Sequence, residues 1–227
     1  MKKLENITLI DSNSFIGSSS KGLRNFFYYK KLFYIYFIKR LIDLGLSIFL
    51  LTILIPIIIL LSILIKLDSR GPVFFNQIRF GIHKIPFSIY KFRTMYNYSE
   101  KDIGPVWTKK NDKRITKFGG FLRRYHLDEL PQLFNVIKGD MSLIGPRPER
   151  PYFVDKLSKH LPLYNKRLKI KPGITGWAQI NQSYDKNIDD VSNKLILDFY
   201  YINNISFWFD IKILIKSVAV VLSANGI

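Results

Sequence analysis

The sequence predicts an α/β chain, mainly helical, built on a kinked re-entrant membrane helix with amphipathic interfacial helices and a small β-hairpin or sheet. Three observations predict it. Residues 44–65 form a run of 22 residues without a charge. Basic residues crowd both flanks of that run. The remaining sequence carries one hairpin signal and several stretches with a helical apolar period.

Composition sets the frame. The 227 residues are 48% hydrophobic and 23% charged, which excludes a disordered or collagen-like chain. The length suits one domain with a short appendage. Cys is absent, so thiolate chemistry, disulfides and zinc-thiolate sites are excluded. The three His residues, His83, His126 and His160, lack metal-ligand spacing. Lys and Arg number 35 against 17 Asp and Glu, a net charge of +18 that points to a polyanionic partner.

The first 22 residues are polar and without periodicity, as expected of a mobile tail. Gly17 and Gly22 have the spacing of a phosphate-binding loop, but Leu23 and Arg24 stand where Lys and Ser or Thr are required. Residues 23–38 alternate basic and aromatic groups, among them Phe26, Lys30, Lys31 and Tyr36. Such a pattern suits a stacking platform for nucleic acid or an interfacial segment with aromatics at the headgroups. Its place just before an apolar helix favours the second. The chain thus divides into a tail and interfacial segment (1–38), a membrane helix (39–67) and a cytoplasmic domain (68–227).

As a helix, residues 44–65 would be roughly 33 Å long, enough to enter a bilayer deeply. Residues 1–43 carry 8 basic and 3 acidic groups, and residues 66–227 carry 27 and 14. Both flanks therefore read as cytoplasmic, which one crossing cannot satisfy. Pro56, at the middle, bends a helix because it lacks an N–H and clashes with the Thr52 carbonyl. Hydroxyls of Thr52 or Ser62 are candidates to satisfy that carbonyl. A re-entrant helix resolves the conflict; a single kinked span is the alternative these residues leave open.

Past a turn at Asp68-Ser69-Arg70-Gly71-Pro72, two short strands, Val73–Phe75 and Phe87–Phe92, form a hairpin around Gly81. From Asp128 to Lys138 a helix is signalled by Leu130, Leu133, Phe134 and Ile137, with Pro131 in its first turn and Gly139 at its end. Residues 150–168 form another amphipathic stretch, interrupted at Pro162. Ser206 opens a last helix with Phe207, Trp208, Phe209, Ile211, Leu214 and Ile215 on one side and Lys212 and Lys216 on the other. It suits core packing and an in-plane membrane helix equally.

Asp128-Glu129 is the leading candidate for chemistry. At a helix N-terminus the dipole keeps a carboxylate ionised, able to ligate Mg2+ or attack phosphorus. An acidic pair there can also be only a cap. Its surroundings argue otherwise. Arg123 and Arg124 lie just upstream. Pro146 and Pro148 flank Arg147 and present its guanidinium in an extended backbone, suited to a bidentate phosphate contact. Lys169 to Gln179 is rich in turns, and its Pro172-Gly173 step suits a type II turn.

These residues also carry a family likeness. Lys39-Arg40-Leu41-Ile42-Asp43 opening the apolar helix resembles the monotopic phosphoglycosyl transferases, the bacterial polyprenyl-phosphate sugar-1-phosphate transferases. The likeness continues in Gln77-x-Arg79-x-Gly81, Tyr90-Lys91-Phe92-Arg93-Thr94-Met95 and Leu127-Asp128-Glu129-Leu130-Pro131-Gln132-Leu133-Phe134-Asn135-Val136. It extends through Lys138-Gly139-Asp140-Met141-Ser142, Gly145-Pro146-Arg147-Pro148 and Lys171-Pro172-Gly173-Ile174-Thr175-Gly176-Trp177-Ala178-Gln179. It spans residue 39 to about 220, in the short form of the family.

The resemblance implies a re-entrant helix in the cytoplasmic leaflet of the bacterial inner membrane, kinked at Pro56, below a cytoplasmic catalytic domain. It implies transfer of a sugar-1-phosphate from a UDP-sugar to polyprenyl (undecaprenyl) phosphate with release of UMP, the first membrane step of a polysaccharide or glycan. Asp128 matches the nucleophile that forms a phosphosugar intermediate and lies at Mg2+. Glu129 matches its acid/base or metal-linked partner. Arg147 matches a phosphate-binding arginine, and Arg123, Lys91 and Arg79 fall at matching basic positions. His126 departs from the small hydroxyl residue expected two before the aspartate. Nucleic acid is not an implied partner; a homodimer is left open. The contrasting reading, a membrane-anchored basic module that binds nucleic acid or anionic lipid without catalysis, uses the charge but gives no reason for Asp128-Glu129 or Arg147.

Overall fold

The structure, a computed structural model, describes residues 30–96, 112–182 and 188–223. The expected tail, the Gly17–Gly22 segment and the start of the basic-aromatic stretch lie outside the described residues. The described residues are mainly helical, with two small two-stranded sheets.

A single helix runs from Lys30 to Asp68, with a π-helical turn at Tyr34–Ile38 and its regular part, α1, at Lys39–Asp68. Its length and apolar composition suffice to cross a membrane. Lys39, Asp43, Ser47 and Leu51 recur every four residues and form one buried row, which Leu61 and Ile65 resume near the end. The opposite side is open. Ile53, Ile55, Ile57, Ile59 and Leu60 are 43–56% exposed, unlike the core helix of a water-soluble protein. The helix continues through Pro56. The Thr52 and Ser62 hydroxyls bond back one turn, to the carbonyls of Ile48 (2.9 Å) and Ile58 (2.6 Å). The expectation that they meet the Thr52 carbonyl is therefore corrected: a hydroxyl in a helix reaches the carbonyl four residues before it.

Both ends of α1 are fastened to the same body. At the start, Lys39 pairs with Asp210 at 2.6 Å, and Asp43 accepts from the Leu143 N–H at 3.0 Å. At the end, Leu61 and Ile65 pack with Phe92 and Leu122. There Arg93 donates to the carbonyls of Ser69 (2.6 Å) and Arg70 (2.8 Å), which stand at the helix C-terminus.

Strands β1 (Phe74–Phe80) and β2 (Pro86–Phe92) pair antiparallel, from Phe74 opposite Phe92 to Phe80 opposite Pro86. The hairpin stands as expected, but β1 runs five residues past Phe75, placing Gln77 and Arg79 on it. Helix α2 (Lys117–Arg124) escaped the sequence reading. The Thr116 hydroxyl caps it by accepting from the Gly119 N–H at 2.9 Å. Gly119 is required, since a Cβ there would lie 2.2 Å from the Thr94 carbonyl oxygen.

The helix expected over 128–138 is divided. Leu127–Glu129 form a 3₁₀ turn, and α3 proper is Gln132–Lys138, closed by Gly139 at φ 95°. Pro131, lacking an N–H, fixes the start of α3 and so its phase. Leu133 and Val136 face the core, while Phe134, expected on the same stripe, is exposed. Asn135 clasps α3 to β2, accepting from the Tyr90 N–H (3.0 Å) and donating to the Ser88 carbonyl (2.7 Å). Arg40 of α1 closes the other end, donating to the carbonyls of Val136 (2.6 Å) and Ile137 (2.9 Å).

Strands β3 (Ser142–Ile144) and β4 (Gly173–Thr175) pair in parallel. The Pro172-Gly173 step is thus a strand entry rather than the expected type II turn. Gly173 is needed for closeness: a Cβ there would fall 2.0 Å from the Gly145 nitrogen. Between these strands lie α4 (Pro151–His160) and a 3₁₀ turn at Tyr164–Lys169, on either side of Pro162 as expected. Then follow α5 (Trp177–Asn181), α6 (Ile188–Asn204) and α7 (Phe207–Leu222). Ser206 caps α7, accepting from the Phe209 N–H. Asp210 and Ile213 of α7 are buried, while Trp208, Ile215 and Leu222, spaced by seven, are exposed. The helix therefore both packs on the core and leaves an apolar row outside it.

Candidate active site

Three local decisions bring the charged groups together. His126 adopts a left-handed backbone (φ 56°), which turns the chain out of α2 into the 3₁₀ turn. The turn places Asp128 and Glu129 against β2, where alternation points Lys91 at them. The Pro-flanked Arg147 arrives from the segment after β3. The acidic pair thus stands one turn before α3, not on its first turn as expected.

Asp128 and Glu129 are 7% and 8% exposed. Lys91 donates to Glu129 Oε1 at 2.6 Å, and Arg147 donates to the same oxygen at 2.8 Å. Burial works against charge on Glu129, but Arg147 and then Lys91, through charge and hydrogen bonds, outweigh it. Its carboxyl is held well below the usual range. Asp128 is the opposite case. It accepts no hydrogen bond among the described residues, and burial pushes its carboxyl up; Lys91 opposes the rise and the Glu129 charge adds to it. Burial also lowers the Lys91 ammonium, with Glu129 opposing. Neighbouring groups driven in opposite directions are the arrangement by which sites divide roles between two carboxylates.

Arg123 bears electrostatically on Asp128 and donates through Nε to Thr94 Oγ1 at 2.8 Å. Arg79 is engaged elsewhere: with Gln77 Oε1 (2.6 Å), the Pro148 carbonyl (3.2 Å) and Glu149 (3.4 Å). It thus stands behind Arg147, bracing the segment that carries it. Pro56 lies on α1, in the exposed apolar stretch.

Sequence reading missed a second charged cluster behind that segment. Glu149 meets Arg79 at 3.4 Å and Lys194 at 3.3 Å, and Arg167 meets Asp198 at 2.8 Å. These five residues come from β1, the Pro-rich segment, a 3₁₀ turn and α6, and no local spacing announces them. Thr94 lies in the Tyr90–Met95 motif, whose pattern assigns it no role.

The acidic pair is where the expected Mg2+ would have to be held. Among the described residues, no three His, Cys, Asp or Glu side chains gather as a ligand group. Glu129 is committed to two cations, so Asp128 is the available carboxylate. That donor set fits Mg2+ shared with phosphate oxygens of a substrate, the usual mode for this ion, rather than an all-protein cage.

Comparison with known proteins gives a consistent picture. The family described as "Bacterial sugar transferase" matches residues 34–224. A UDP-N-acetylgalactosamine-undecaprenyl-phosphate N-acetylgalactosaminephosphotransferase of Aeromonas hydrophila is 44% identical over 190 residues, covering 84% of this chain and 45% of that protein. An undecaprenyl-phosphate glucose phosphotransferase of Komagataeibacter xylinus is 43% identical, covering 79% of this chain and 35% of its own length. An uncharacterized sugar transferase, EpsL, of Bacillus subtilis (strain 168) is 44% identical over 196 residues, covering 84% of this chain and 90% of its own. The chain spans less than half of the first two relatives and nearly all of the third.

Proposed function

The chain belongs to the bacterial sugar transferase family, and on that premise we propose that it moves a sugar-1-phosphate from a UDP-sugar to undecaprenyl phosphate. This would be a membrane step of polysaccharide or glycan assembly. The observation that carries the reading is the unequal pair: Glu129 neutralised by Lys91 and Arg147, beside an Asp128 that accepts no hydrogen bond among the described residues.

In the first step an Asp128 oxygen attacks the phosphorus that bears the sugar. The P–O bond to UMP breaks, UMP leaves with the electron pair, and an aspartyl phosphosugar remains. In the second step an oxygen of the lipid phosphate attacks the same phosphorus. The acyl phosphate bond breaks, Asp128 returns as carboxylate, and a lipid diphosphosugar departs. Lys91 holds Glu129 in place, and Glu129 in turn orients Arg147. The exposed part of the Arg147 guanidinium and Arg123 receive the phosphate charge that builds up in both steps. Mg2+, held by Asp128 and the diphosphate, would offset charge on the leaving group. One pocket then serves a soluble donor and a membrane-bound acceptor in turn.

Topology follows the same logic. Both ends of α1 are tied to one body while its middle is apolar and exposed. That arrangement supports a re-entrant helix in the cytoplasmic leaflet of the inner membrane over a crossing. The apolar row of α7 would lie on the same leaflet. Cysteines placed near residues 20 and 70 of this Cys-free chain test it; labelling from opposite sides would establish a span.

The activity test is a panel of UDP-sugars with undecaprenyl phosphate and Mg2+, scored by UMP release. Label from the donor should appear on the protein when the acceptor is omitted. If quenched samples carry no protein-bound label while transfer proceeds, the route is direct displacement. If no donor yields lipid-linked sugar, the proposed activity falls.

A further inference from the structure

Four consecutive carbonyls hold the segment that presents Arg147, each by a different donor. The Gly173 N–H donates to Pro146 (3.0 Å) and the Phe80 N–H to Glu149 (3.0 Å). Between them, Arg167 Nη2 donates to the Arg147 carbonyl (2.9 Å) and Arg79 Nη1 to the Pro148 carbonyl (3.2 Å). Pro146 and Pro148 have no N–H, so the segment depends on its carbonyls for anchorage.

Arg167 is the more deeply buried of the two side-chain anchors. Its side chain is 3% exposed, as is that of Asp198, its partner on α6 at 2.8 Å. Arg167 Nη1 donates to the Tyr164 hydroxyl at 2.8 Å. Tyr164 thus holds Nη1, while Nη2 both meets Asp198 Oδ2 and donates to the carbonyl of the residue whose side chain touches Glu129. A buried ion pair adds little stability over a packed apolar pair. Stability alone therefore gives no reason for this one, whereas the donor it directs at residue 147 does.

We infer that Arg167 is a positioning residue: held by Asp198 and Tyr164, it fixes the Arg147 backbone so that the Arg147 guanidinium meets both Glu129 and the transferring phosphate. The inference rests on the phosphate-binding reading of Arg147. Arg167 touches no reacting atom. It acts through one carbonyl, and a displacement of about 1 Å at such a site costs about 10²-fold in rate.

The test uses the full chain in lipid nanodiscs. Two variants are compared, Arg167→Met and the paired Arg167→Met/Asp198→Leu; the second removes both charges together and leaves no buried ion unpaired. One measurement is amide hydrogen exchange in the peptide spanning 145–150, which should quicken in both variants while α6 stays protected. The other is a double-mutant cycle with Arg147→Ala, read as kcat per folded enzyme. Arg167→Met should cost about 10²-fold in the parent and less than about 2-fold once Arg147 is gone, since the two act as a unit. Unchanged exchange at 145–150 would overturn the inference, as would an equal loss in both backgrounds, which marks a stability effect. If the parent transfers no sugar phosphate at all, the activity proposed above falls, and the exchange result still decides whether Arg167 holds residue 147.

Discussion

The segment at residues 146–149 separates two charged clusters with the same count of charges. In front, Lys91, Arg123 and Arg147 face Asp128 and Glu129. Behind, Arg79, Arg167 and Lys194 face Glu149 and Asp198. The rear pair Arg167–Asp198 is sealed at 3% exposure on each side, whereas the Arg147 side chain in front is 32% exposed. The rear carboxylates are each paired with a cation; in front, Glu129 takes two cations and Asp128 accepts no hydrogen bond among the described residues. Charge count therefore does not mark a site. What marks it is a carboxylate kept from its full complement beside a guanidinium that still reaches solvent.

Substitutions should separate the two clusters. Asp128→Asn should cost about 10⁴-fold or more in turnover, the range for a lost nucleophile, with the fold unchanged by circular dichroism; parental UMP release would remove Asp128 from the chemistry. Arg147→Ala should follow, at about 10²–10³-fold. Arg147→Lys should recover only part of that loss, because an ammonium cannot bridge Glu129 and a phosphate as a planar fork does. Full recovery by Lys would mean that point charge suffices.

Within the rear cluster, Glu149 should answer through stability. Lys194, Arg79 and other nearby cations overcome burial and hold the Glu149 carboxyl at about 2, against an ordinary 4.5. A depressed carboxylate stabilises the fold fully above its unfolded value. That contribution is lost as pH falls from about 4.5 toward 2. Glu149→Gln should lower stability at pH 7 by about 2–3 kcal/mol and flatten this acid-linked loss, read from urea midpoints across pH. A parental pH dependence in the variant would place the acid sensitivity elsewhere. The smallest effect is expected at Thr94→Val, which removes one acceptor from Arg123 and should slow turnover about 2- to 10-fold; a larger loss would give Thr94 a direct role.

The front cluster was legible because its members lie in short motifs. Asp128 and Glu129 are adjacent, and the prolines beside Arg147 announce a constrained backbone. Lys91 lies in the Tyr90–Met95 motif that carries the family likeness, on a hairpin strand that stands as expected. The rear cluster was not legible, because residues 79, 149, 167, 194 and 198 meet only after the chain has closed on itself. The same reason hid β3 and β4: three-residue strands leave no period, and Pro172-Gly173 reads as a turn until Gly145 is packed against it. Pro131 misled more subtly. Its sequence position suits a first turn, where it is tolerated, but it starts α3 later and leaves Phe134 exposed. Locally coded features survived, as with Gly139 at the end of α3 and Ser206 at the start of α7.

The double fastening of α1 has a mechanical consequence. A beam riveted at Arg40 and Arg93 cannot hinge about either rivet, so it and the body it carries must tilt as one plate. Were its apolar flank seated in lipid as proposed, that plate would set the altitude of Asp128 above the hydrocarbon. Under the proposed function, a long, wandering isoprenoid would then need only to surface at a fixed address, with no tether to search for it.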